Sequence, residues 1–154
     1  MNTVITERTF GRILAFDLGK RRIGLALSDP MRITAQGIDT FQRTRVRDDL
    51  DALAHLVEDR GVSELLFGEP LHMSGDVSRQ SIYTHEFAER LKTRTGLPTN
   101  FWDERWTSVE ANRILRDSGI SIEKRARAVD QLSAVILLES YLDYLGFQEQ
   151  EAAQ

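Results

Sequence analysis

Asp17 closes the apolar run Arg12-Ile-Leu-Ala-Phe-Asp-Leu and is followed at once by Gly19 and the basic Lys20-Arg21-Arg22. A carboxylate in such a run needs a partner, because burying an unpaired charge is costly. A divalent cation at a strand end would be one. Asp-x-Gly taken alone is equally a common turn. Asp103-Glu104-Arg105 follows the apolar pair Phe101-Trp102, and by itself reads as a solvated loop with an Arg–acid pair. Asp130 lies in a helical stretch, where Asp is an unfavourable residue. Ala126, Ser133 and Ala134 surround it at helical spacing, small enough for close approach to a sheet and for ions. Alone, Asp130 is a solvated helix acid paired with Arg127. Together, two strand-end acids and one late-helix acid make the oxygen donor set that Mg²⁺ takes. Two such ions about 3.5–4 Å apart activate water and stabilise both oxygens of a phosphodiester displacement. Lys20, Arg21, Arg22, Arg105, Lys124, Arg125 and Arg127 are the cations available to hold backbone phosphates. Spacing leaves the convergence of the acids to the fold.

The elements that must position these residues follow from periodicity. Residues 12–18 and 22–28 are apolar runs joined by Gly19-Lys20-Arg21, which predicts a hairpin. A weaker third strand is expected from Ile33 to Phe41. Leu50, Leu53, Leu56 and Val57 share one face of a helix over about 45–60, with Gly61 as its stop. Ser63–Gly68 predicts a buried strand, and 69–77 a turn-rich loop. Tyr83, Phe87 and Leu91 mark a helix ending at Gly96, and Thr99–Trp102 a further strand. Thr107-Ser-Val-Glu110 matches a capping box that opens a helix ending near Gly119. The last helix, about 123–145, closes at Gly146, leaving a polar, frayed tail from Gln148. Three antiparallel strands followed by alternating helices and strands predict a mixed α/β sheet with helices on its faces. The expected organisation is a flexible lead over 1–10, one domain over 11–147 and the tail 148–154.

Composition narrows the class. The chain has 154 residues, 41% hydrophobic and 29% charged, the mix of one globular domain. There is no cysteine, which excludes disulfides, a thiol nucleophile and a Cys-based zinc or iron–sulfur site. The longest aliphatic run, Val135–Leu138, is far too short to span a bilayer, and Met1–Glu7 lacks the pattern of a secretory signal. A cytoplasmic protein without membrane contact is expected. The net charge of −4 argues against indiscriminate coating of nucleic acid but leaves room for a local basic rim, built mostly of Arg. His55 and His85 sit in helices and carry weak signals. His72, in the loop after the fourth strand, stands near the acids. No histidine pair has zinc spacing, and there is no G-x-x-x-x-G-K-[ST].

At these residues the sequence resembles the YqgF family, also called RuvX, whose members are described as pre-16S rRNA nucleases or Holliday junction resolvases. Four segments match in order: Phe16–Ala26, Gly68–Gly75, Asp103–Ala111 and Val129–Leu142. The resemblance covers about 12–145. It implies a ribonuclease-H-like fold related to RuvC resolvases, with divalent-metal nuclease chemistry using Mg²⁺ or Mn²⁺. It implies Asp17 as a shared metal ligand, Glu104 and Asp130 completing the coordination, Asp103 beside them and Arg105 on a phosphate. Three positions depart from the family. Gly68-Glu69-Pro70 with His72 stands where Gly-Leu-Pro and an Asn are usual, and Ser108 stands where Thr is usual. Glu69 is then either a fourth ligand or an exposed loop acid, the loop acid being preferred.

Several functions compete. Foremost is a metal-dependent nuclease in 5′-end processing of precursor 16S ribosomal RNA, acting on structured RNA or pre-ribosomal particles. A Holliday junction resolvase is the alternative on branched DNA. Junctions are two-fold symmetric, so a homodimer would suit resolution better than a monomer. A third possibility is a non-catalytic nucleic-acid-binding module of ribosome assembly, against which the intact acids argue. Phe16-Asp-Leu-Gly19 is also similar to the phosphate loop of actin-like ATPases, but those need two such domains and this length holds one.

Overall fold

The computed structural model describes residues 10–70, 79–103, 117, 119 and 121–152, with all their side chains except those of 122–127, 130 and 152. Arg12–Leu18 (β1) and Arg22–Ser28 (β2) form the expected hairpin, Leu14 facing Leu27 and Asp17 facing Gly24. Its link is tight. The Gly19 N–H donates to Arg22 O at 3.0 Å, and a Cβ on Gly19 would lie 2.5 Å from that oxygen. Only glycine tolerates so close an approach.

The third strand begins later than expected. Ala35–Gln42 (β3) pairs antiparallel with β2, while Ile33 lies in the preceding loop, 66% exposed. The Asp29 carboxylate accepts the N–H groups of Met31, Ile33 and Thr34, and so diverts this segment from the ladder. Val46–Asp59 (α1) then crosses over to Val62–Glu69 (β4), which lies parallel to β1 on its other side. Arg79–Thr95 (α2) leads to Thr99–Asp103 (β5), parallel to β4. The sheet order is β3-β2-β1-β4-β5. Ile122–Ala152 (α3) closes the described chain.

The two faces of the sheet are read off β1 by strand alternation. Leu14, Phe16 and Leu18 pack with Leu65 and Phe67 against Leu50 and Leu53 of α1 and Phe87 and Leu91 of α2. The Phe16 and Phe67 rings stack with centroids 4.5 Å apart. Ile13 and Ala15 pack with Ala26 and Leu66 against Ala134, Leu137, Leu138 and Tyr141 of α3. Coverage on both faces explains why β1 and β4 are near-continuous apolar runs.

Three expectations need correction at element ends. α3 does not close at Gly146 but runs to Ala152, so residues 148–152 are helix rather than frayed tail. Gly61 and Gly96 do stop helices, with φ of 63° and 70°, whereas Gly146 is absent from the glycines of positive φ. A glycine ends a helix only when the chain takes the left-handed turn there. Glu69 is the last residue of β4, not the first of a loop. The lead 1–9 and almost all of the helix expected from Thr107 lie outside the described residues.

Candidate functional site

The parallel strands β1, β4 and β5 end on the same edge of the sheet, at Leu18, Glu69 and Asp103. That edge is where sites gather in open α/β sheets. Asp17 is half-buried there. It continues the alternation of Ile13 and Ala15 and therefore faces α3. The row Ala15–Ala26–Gly37 crosses three strands beside it. α3 comes down on this row. Gln131 Nε2 donates to Ile38 O at 3.0 Å, and a Cβ on Gly37 would lie 2.7 Å from Gln131 Cγ. Ser133 and Ala134 are buried under the helix, the close approach their small size predicts. Position 130 is thus backbone-adjacent to a residue anchored on β3.

Asp103 is exposed and pairs in register with Glu69. Both fall on the opposite face from Asp17, because they continue the alternation of Phe101 and of Leu65 and Phe67. Glu69 is turned into α2. Its Oε1 accepts from Ser81 Oγ, its Oε2 lies 2.5 Å from His85 Nε2, and the His85 ring stacks on Phe101 at 3.8 Å. Glu69 is therefore neither a loop acid nor a neighbour of the Asp17 carboxylate. Sequence reading missed His85 and Ser81 as its partners, since sixteen and twelve residues separate them from Glu69. No local pattern signals such a pairing.

Lys20 and Arg21 are exposed on the hairpin turn, and Arg22 is half-buried. The backbone at Lys124, Arg125 and Arg127 belongs to the first turns of α3. Glu104, Arg105 and His72 lie outside the described residues. Among the described residues no three His, Asp or Glu side chains gather as a metal site. The donor chemistry at Asp17 nonetheless fits a hard cation: a carboxylate, half open to solvent, at a strand end in a chain without cysteine. No helix of the described residues is long and apolar enough to cross a membrane.

A five-stranded mixed sheet in this order, helices on both faces and an acid near the end of the central strand define a ribonuclease-H-like fold. Thermus thermophilus RuvC in complex with a Holliday junction substrate has the same fold, with a TM-score of 0.57 at 12% identity, over 88% of this chain and 96% of that one. The family model described as "RuvX: Holliday junction resolvase" matches residues 11–144, and the chain belongs to that family. A relative from Koribacter versatilis named "Putative pre-16S rRNA nuclease" is 50% identical over 92% of each chain. One of the same name from Moorella thermoacetica is 43% identical over 88% of this chain and 96% of its own.

Proposed function

We propose that the chain is a divalent-metal-dependent nuclease that hydrolyses phosphodiester bonds in 5′-end processing of precursor 16S ribosomal RNA in the cytoplasm. The observation that carries this reading is Asp17, held near the carboxyl end of the central strand and facing the helix that contains position 130. Asp17, Glu104 and Asp130 hold the cation, Mg²⁺ or Mn²⁺. When bound, the metal supplies charge neutralisation and a water of lowered pKa. Lys20, Arg21, Arg22, Arg105, Lys124, Arg125 and Arg127 hold the phosphate backbone and orient it across the edge. Glu69 and Asp103 are left out of the ligand set, since both face away from Asp17. The names of relatives sharing half and two-fifths of the sequence favour ribosomal RNA as substrate.

The test is cleavage of a precursor ribosomal RNA 5′ segment and of a four-way DNA junction, side by side, with Mn²⁺ or Mg²⁺. The expected result is RNA cleavage that Asp17→Asn lowers by at least about a hundredfold while the fold persists. Retained activity in Asp17→Asn overturns the ligand assignment. Symmetric junction nicking moves the function to recombination, in keeping with the family model's description. Binding without cleavage of either substrate leaves a non-catalytic assembly module.

A further inference from the structure

The two carbonyls that follow Asp17 on the chain are both held from the face opposite to its carboxylate. Gln80 Nε2, in the first turn of α2, donates to Leu18 O at 3.1 Å. Arg43 Nη1 donates to Gly19 O at 3.0 Å. Arg43 stands in the link between β3 and α1, and its side chain is only 7% exposed. Its guanidinium is fixed on every side. Nε lies 3.5 Å from Asp49 Oδ2, Nη2 donates to Tyr83 Oη, and the central carbon lies 5.3 Å from the Tyr83 and Phe87 ring centroids. Asp49, wholly buried, also takes the Thr44 N–H and hydroxyl at 2.9 and 3.0 Å. The Arg43 N–H donates to Arg21 O at 2.9 Å.

The hairpin turn is thereby tied to three elements: the β3–α1 link, α1 and α2. A two-strand turn needs no such anchorage for its own ladder, which the Gly19–Arg22 bond already closes. The anchorage has one directional consequence. It fixes the peptide planes on both sides of Gly19, and with them the end of β1 one residue beyond Asp17 and the direction of Lys20 and Arg21. Arg suits this task, because its planar fork reaches a carbonyl, a carboxylate and a hydroxyl at once.

We propose that Arg43, seconded by Gln80, is a positioning residue for the metal-binding carboxylate of Asp17. The proposal rests on Asp17 being a metal ligand. Arg43 acts through the Gly19 carbonyl and Gln80 through the Leu18 carbonyl, each holding the end of β1 from behind. Removing a group that hydrogen-bonds a ligand directly typically weakens metal affinity about 10–100-fold, and support given one or two carbonyls further along is expected to be worth about tenfold, the lower end of that range.

Calorimetric titration of the full chain with Mn²⁺ tests this, alongside thermal melts. The set is wild type, Gln80→Met, Arg43→Lys, Arg43→Met and, as a remote control, Arg94→Ala, which breaks only the exposed pair with Asp51. Gln80→Met is expected to raise the Mn²⁺ dissociation constant about tenfold while melting within a few degrees of wild type. Arg43→Lys, which keeps the charge but loses the fork, falls between wild type and Arg43→Met. Arg94→Ala binds as wild type does. Should Arg43→Met not fold, Gln80→Met and Arg43→Lys decide. Unchanged affinity in both overturns the proposal, as does a loss that only tracks falling melting temperature. A wild type that binds no Mn²⁺ overturns the ligand reading of Asp17 itself, and this proposal with it.

Discussion

Glu64 shows what a buried carboxylate requires when it is structural. Its side chain is 8% exposed and is met by Arg32 at 2.9 Å, the Tyr141 hydroxyl at 2.9 Å and the Asn100 amide at 3.3 Å. Burial first, and the Glu64 carboxylate second, push the Tyr141 phenol above the ordinary tyrosine range. Its proton is therefore retained in the fold at a pH where the unfolded chain has lost it. Above about pH 10 the unfolded state binds fewer protons than the native one, so stability falls as pH rises. Below that pH the effect is absent. Tyr141→Phe should flatten the alkaline fall in denaturant titrations. At pH 7 it should destabilise by about 1–3 kcal/mol, since Glu64 loses a donor. A variant with the wild-type alkaline slope would contradict the assignment. Asp17 was legible in the sequence because an acid in an apolar run is conspicuous. Glu64 was not, because its partners stand 32, 36 and 77 residues away.

Between elements, the contact that fixes where position 130 lies on the sheet is α3 on β3 at Gly37. Gly37→Val would press on Gln131, displace its amide from Ile38 O and tilt the start of α3 from the sheet. The expected cost is about 1–3 kcal/mol of stability. Cleavage should fall further than that loss alone explains, because position 130 moves with Gln131. Melting and single-turnover cleavage measured on one preparation check both, and unaltered cleavage would remove this contact from the site. Most elements were legible, since alternation and helical spacing report burial directly. The failures were at ends. Gly146 carries no conformational instruction by itself, and Asp29 gathers three N–H groups that strand patterning does not register. The candidate acids stood out in the sequence as residue types but not as faces: only the ladder register reveals that Glu69 turns away from Asp17.

For the whole molecule, a net charge of −4 means that any grip on nucleic acid is local. Lys20 and Arg21 stand exposed at the carboxyl edge, beside Asp17. Nucleic-acid affinity should therefore fall with salt, each neutralised phosphate contributing a log–log slope of roughly −0.7 to −0.9. Replacing both Lys20 and Arg21 by Ala should reduce that slope by about 1.4 to 1.8 units if each neutralises one phosphate. An equal slope in the double variant would place the interface elsewhere.

The arrangement of α3 also fixes an order of events during translation. Strands β1, β2 and β4 carry Ile13, Ala15, Ala26 and Leu66, whose cover is the last element of the described chain to be synthesised. Until α3 leaves the ribosome, one side of the sheet is an open apolar surface, while the α1–α2 side can already be packed. The nascent chain thus passes through a half-dressed stage that invites chaperone holding. The acidic triad proposed for catalysis takes its last member, Asp130, from the same helix that ends this stage. Hydrolytic competence and release from chaperone surveillance would then arrive together, and a truncated product would be both sticky and inert.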